Sequence, residues 1–100
     1  MTAQRPSKVV DTGTAFVLRE ADGVARLRYR RDPGRLVLEH TTVPDELGGR
    51  GIGSALVAAA VERARADGLS LLAECKFASS WLLRHADDVA DLDVEHNPIN

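Results

Sequence analysis

The residues able to do chemistry fall in three places. The densest is VPDELGGRGIGSAL, Val43 to Leu56, where Gly48, Gly49, Gly51 and Gly53 surround Arg50. Glycines remove the side chains that would hold an anion away from the backbone. The first N–H groups of a helix have no partner inside it and carry the positive end of its dipole. A phosphate or pyrophosphate suits such a place, with Arg50 adding a full charge and Ser54 a hydroxyl. A strand-to-helix turn that binds nothing is the blander alternative, since a glycine-rich run alone is a weak signal. The second place is the adjacent pair Glu39 and His40, two candidate proton acceptors. The third is Cys75, followed by Lys76; as a thiolate it could accept an acyl group, and as a thiol it packs like a small hydrophobe.

The glycine run excludes two common phosphate sites. No Gly-Lys-Ser or Gly-Lys-Thr is present, so a nucleotide triphosphatase loop does not fit. A dinucleotide fold would place its glycines after the first strand of a parallel sheet. Here three strand-like stretches come first, TAFVLRE from Thr14, VARLRYRR from Val24 and RLVLEHTTV from Arg35. Turns at Ala21-Asp22-Gly23 and Asp32-Pro33-Gly34 separate them, which predicts an antiparallel meander over 14–43. In the second stretch Val24, Leu27 and Tyr29 are read as the apolar face, with one phase slip near Ala25. Its arginines 26, 28, 30 and 31 form either a solvated face or a basic face for an acidic substrate.

Pro44 ends the third strand and 45–51 is a loop. From Ile52 the spacing becomes helical, with Ile52, Leu56, Ala59 or Ala60, and Ala64 along one side, and Gly68 is placed to cap the helix. LSLLAEC, 69–75, predicts a buried strand, and KFASSWLLRHADD, 76–88, a second, shorter helix. Trp81 on that helix is read as core or pocket wall. Residues 1 to about 13 and the tail after Asp91 are expected to be frayed or mobile. The predicted order is β-β-β-α-β-α, an α/β (α+β) fold with a mixed, mostly antiparallel sheet and helices packed on it. The strand before the glycine loop should lie parallel and next to the strand after the helix.

The 100 residues fit one domain, 1–100, with an ordered core over about 14–90. A net charge of −2 is too near neutrality to argue for nucleic acid or an acidic membrane. One cysteine rules out an internal disulfide and a cysteine-based zinc site. No apolar run is long enough to span a bilayer, and the N-terminus lacks the apolar core of a signal peptide, so a cytoplasmic protein is the expectation.

The meander, followed by V-P-x-x-L-x-G-R-G-I-G-S-x-L and an alanine-rich helix, resembles the GCN5-related N-acetyltransferase superfamily. Its signature is Gln or Arg, two residues, Gly, one residue, then Gly or Ala. Gly51 and Gly53 fill the last two positions, and Gly48 stands where Gln or Arg is usual. His40-Thr41-Thr42-Val43 before the loop and Cys75-Lys76-Phe77-Ala78 after the next strand are similar to a short, truncated YjdJ-type branch. The resemblance covers about Phe16 to His85.

That resemblance implies acetyl-CoA as co-substrate, held where two strands splay apart, and no metal. The pyrophosphate would lie on the backbone of Gly48, Gly49, Arg50, Gly51, Ile52, Gly53 and Ser54. The pantetheine arm would run beside Thr42 and Val43, and a backbone N–H near Val43 would face the developing oxyanion. Glu39 and His40 are adjacent on one strand and are expected on opposite faces, so only one can face the cleft. His40 fits the branch pattern and is the favoured base, and Cys75 is a candidate acetyl acceptor. Larger members carry an N-terminal strand–helix region that walls the acceptor site. An open acceptor side is therefore expected, facing an amine acceptor such as a protein or peptide, or a second copy of the chain, with monomer and homodimer both open. A CoA-binding module with little turnover, or a partner-binding domain, are the competing readings.

Overall fold

The computed structural model describes residues 9–99. A single six-stranded sheet runs in sequence order: β1 Val10–Asp11, β2 Ala15–Glu20, β3 Gly23–Asp32, β4 Arg35–Thr42, β5 Ser70–Ala73 and β6 Val94–His96. Helix α1, Ile52–Asp67, joins β4 to β5, and helix α2, Lys76–Arg84, followed by a short 3-10 turn at Ala86–Val89, joins β5 to β6. The first four strands pair antiparallel and the last three parallel. The expected meander, helix, strand and second helix are all present, and β4 and β5 are parallel neighbours as predicted.

The sheet is wider than the sequence suggested. Val10 and Asp11 pair with Val17 and Phe16, inside the stretch expected to fray; residues 1–8 of that stretch lie outside the described residues. The tail folds back as β6, with Val94, Glu95 and His96 aligned on Leu71, Leu72 and Ala73. The Ser79 hydroxyl and His96 Nδ1 lie 2.7 Å apart and tie this edge strand to α2. The second helix ends at Arg84, earlier than the sequence pattern suggested.

The core lies on one face of the sheet. Phe16, Leu18, Leu27, Leu36 and Leu38 meet Leu56, Val57, Ala60 and Ala64 of α1, and Ala78, Trp81 and Leu82 of α2, in one buried cluster. Both helices therefore cover the same face. The alanines let α1 lie close to the sheet, and Ile52, Leu56, Ala60 and Ala64 form its buried side as the spacing predicted. The buried face of β3 is Ala25, Leu27 and Tyr29, an unbroken alternation. Val24 belongs to the other face, which corrects the phase slip expected near Ala25: a valine next to a small alanine had suggested the wrong partner.

Candidate active site at a split in the sheet

The register of β3 and β4 breaks once. Arg28 is opposite His40 but Tyr29 is opposite Leu38, so Glu39 is an extra residue on β4. Such a bulge shifts the alternation by one. Leu36 and Leu38 face the core before it, and Thr41, opposite the buried Leu27, faces the core after it. Glu39 and His40 consequently share the outer face and line one recess with Arg28 and Glu74. The expectation that these neighbours face opposite sides is therefore wrong, because it assumed an unbroken pleat.

The sheet splits at the same place. Pairing of β4 with β5 runs from Arg35 opposite Ser70 to Leu38 opposite Ala73, and stops there. The carbonyl of Leu38 accepts from the N–H groups of both Glu74 and Cys75, and from that point β5 turns into α2. Among the described residues, β4 continues to Thr42 with β3 as its only strand neighbour. On the core side of the split the Thr41 hydroxyl and the Cys75 thiol are 3.1 Å apart. Cys75 is buried and immediately precedes α2. His40 is exposed on the outer side. The structure therefore does not bring Cys75 and His40 together: the split lies between them.

The chain leaves β4 through Thr42 and Val43, makes a 3-10 turn at Asp45–Leu47, and enters the glycine run. Gly49 and Gly51 have φ of 79° and 73°, left-handed values that side chains with a Cβ rarely adopt. Gly51 is the N-cap of α1, and no side chain among the described residues caps the helix. Among the described residues the N–H groups of Gly51, Ile52, Gly53 and Ser54 are bonded to no protein acceptor, while the next, that of Ala55, donates to Gly51 O. Gly48 is extended and its N–H donates to Asp45 O, so it contributes differently from the others. Gly53 has a packing reason: a Cβ there would lie 2.7 Å from the Phe77 ring. Arg50 is not free to meet an anion unopposed. Its Nη2 donates to Asp22 at 2.9 Å, and its Nη1 is 3.9 Å from Glu20, both on the β2–β3 hairpin side.

Sequence reasoning missed Glu74. It sits in a run read only as a buried strand, yet its carboxylate receives Arg30 Nη1 and Nη2 at 3.2 and 3.4 Å, and Glu39 receives the same Nη1 at 2.9 Å. Glu74 first and Glu39 second hold the Arg30 guanidinium above even its ordinary high pKa. Trp81 is core, as expected, stacked on His85 with ring centroids 3.9 Å apart. Among the described residues no group of three or more His, Cys, Asp or Glu side chains is placed to hold a metal ion, and no helix is long and apolar enough to cross a membrane.

A parallel split beside an uncapped, glycine-led helix defines a class of fold, and the comparisons agree with it. Residues 15–92 match the family model for GCN5-related N-acetyltransferase. The chain belongs to that family. The solution structure of a GCN5-like putative N-acetyltransferase from Staphylococcus aureus superposes with a TM-score of 0.67 at 30% identity, covering 93% of this chain and 90% of that one. No curated protein matches the chain significantly.

Proposed function

We propose that the protein transfers the acetyl group of acetyl-CoA to an amine, with the donor held in the split between β4 and β5. One observation carries this reading: β4 loses its β5 neighbour after Leu38, keeps β3 through Thr42, and then leads within ten residues into a row of undonated N–H groups. An extended ligand can add to the open edge at Thr42 and Val43 while its phosphates take up the N–H groups of Gly51 to Ser54. These donors fit a pyrophosphate, because four unpartnered N–H groups and the helix dipole all favour negative charge. Gly48, Gly49 and Arg50 border the same turn, and Arg50 reaches the anion by exchanging its carboxylate partners.

At the far end of the split the thioester lies between the Thr41–Cys75 pair and the outer recess. His40 is the proton acceptor on the outer side. A backbone N–H near Val43 faces the oxygen on which charge develops. Cys75 becomes an acetyl carrier only if its thiol reaches the thioester from the core side; otherwise it holds Thr41 in place. Intact mass after mixing with acetyl-CoA separates the two, since a covalent acetyl absent from Cys75→Ala marks a carrier. The governing experiment is calorimetric titration with acetyl-CoA, CoA and a phosphate-stripped analogue. Binding of the first two and weaker binding of the third is expected. No heat at about millimolar ligand rejects both acetyl transfer and a CoA-binding role.

A further inference from the structure

Both helices pack on the core face, and the charges on the opposite face of the sheet are segregated. The acids of that face are Asp32, Glu39, Glu74 and Glu95. Arg30 meets the first three at 3.5, 2.9 and 3.2 Å, and Arg35 meets Asp32 and Glu95 at 3.5 and 2.9 Å. At this end carboxylates and guanidiniums answer one another. The other end carries Arg19 of β2 and Arg26 and Arg28 of β3. Arg19 is opposite Val24, Arg26 lies between Val17 and Thr42, and Arg28 between Ala15 and His40, so no cross-strand neighbour is an acid. Glu20, next to Arg19 in the chain, turns toward Arg50. Among the described residues Arg19 and Arg26 form no ion pair or side-chain hydrogen bond. Arg28 reaches Glu39 at 4.0 Å, but Glu39 is held more closely by Arg30, and the Arg28 side chain stays 64% exposed. Arg31, from the same run of arginines, points to the core side and is bonded to Asp67 of α1.

We propose that Arg19, Arg26 and Arg28 form a docking strip for a short, extended, acidic segment of another protein, with carboxylates at alternate positions. The proposal stands apart from acetyl transfer. Arg26 and Arg28 are two residues apart on one strand, about 7 Å, and Arg19 stands diagonally across from Arg26 at about 7–8 Å. Alternate side chains of an extended peptide repeat at the same interval, so successive carboxylates meet successive guanidiniums, each able to bond two oxygens. Binding at Arg30 or Arg50 would first have to displace a carboxylate of the protein itself. At Arg19 and Arg26 it displaces only water and salt. A nucleic acid strand needs a longer basic track. Here the same face turns acidic from Glu39 onward, and the whole chain carries a net charge of −2. That acidic end repels the continuation of any anion past Arg28, which limits the strip to a short segment.

The probe is a capped peptide of alternating threonine and glutamate, with a second peptide carrying glutamine for every glutamate. Each is titrated into the isotope-labelled full chain at low salt and followed by NMR. Shifts clustering on β2 and β3 around Arg19, Arg26 and Arg28 are expected with the acidic peptide, none with the glutamine peptide, and weaker binding as salt is raised. The pair Arg19→Gln and Arg26→Gln should weaken the acidic peptide about threefold or more. Arg63→Gln, which removes a guanidinium from α1, should leave it unchanged. Arg26→Lys should recover part of the loss, because it restores the charge without the two-pronged geometry. Were these arginines only a solvated face, the double variant would bind like the unmutated protein. That result, an equal loss in Arg63→Gln, or no shifts at about millimolar peptide overturns the proposal. Equal affinity for an oligonucleotide of the same charge would overturn it in favour of a nucleic acid. Concentration-dependent shifts at the same residues without peptide would overturn it in favour of a second copy of the chain.

Discussion

The two halves of β4 differ more than their shared strand implies. From Arg35 to Leu38 the strand is clamped between β3 and β5, and Leu36, Val37 and Leu38 are fully buried. From Glu39 to Thr42 it has one strand neighbour among the described residues, a bulge, and only polar side chains. The first half is where apolar burial stabilises the fold. The second has no β5 strand paired along its edge because it has given up that burial. A functional site of this kind needs the rigid half next to it, since nothing in the open half would hold its own position.

The sharpest way to break this contrast is to truncate each half. Leu38→Ala removes a buried side chain among packed neighbours and should cost about 2–5 kcal/mol. Thr41→Val, three residues on, removes only the hydroxyl next to Cys75 and should cost about 1 kcal/mol or less. Urea unfolding of both variants measures the difference. Equal losses would mean that the open half carries as much of the stability as the clamped half.

A second contrast lies inside the glycine run. Gly51 serves a backbone angle, with open space where a Cβ would go; Gly53 serves packing, because Phe77 occupies that space. Gly53→Ala should destabilise by about 1–3 kcal/mol, as overpacking does. Adding Phe77→Ala should recover much of that loss, because Phe77 is 40% exposed and its ring can be spared. Additive losses in the double variant would show that Gly53 matters for something other than Phe77.

The antiparallel half of the sheet has its own pH signature. The Tyr29 hydroxyl donates to Asp11, ties β1 to β3, and stacks on Phe16. Burial first, and the Asp11 carboxylate second, push the Tyr29 pKa up to about 12. The folded protein therefore keeps this proton more tightly than the unfolded chain does. The associated stability is fully present below pH 10 and is lost as pH rises from about 10 to 12. About 1–2 kcal/mol should disappear across that window after allowance for solvent screening, and Tyr29→Phe should flatten the curve there.

How much of this was legible depends on whether apolar residues marked it. The three long strands, α1 and β5 carry periodic leucines, valines and alanines, and the sequence pattern placed them. The bulge at Glu39 was invisible because Glu39, His40, Thr41 and Thr42 are all polar, so a shift in alternation leaves no apolar trace. β1 and β6 have two and three residues, too few to show a period. The pairing of Glu74 with Arg30 and of Gly53 with Phe77 joins residues 44 and 24 positions apart (74 − 30 and 77 − 53), which local spacing does not encode. The same distance effect hid the partner of Arg50.

That partner gives the smallest effect and the finest test of the open half. Arg50 faces the glycine run in sequence, yet its guanidinium is bonded to Asp22 on the β2–β3 turn. For Arg50 to meet a phosphate, the Asp22 contact must be loosened, so Asp22 competes with the ligand. Both side chains are substantially exposed, and such pairs are worth about 0–1 kcal/mol. Asp22→Asn should therefore tighten CoA binding by up to about fivefold, whereas Arg50→Gln should weaken it. Since Asp22 acts through Arg50, the double variant should bind like Arg50→Gln alone. Tighter binding in the double variant than in Arg50→Gln would show that Asp22 repels the phosphates directly. An Asp22→Asn protein with unchanged affinity would mean that the guanidinium holds carboxylate and phosphate at once.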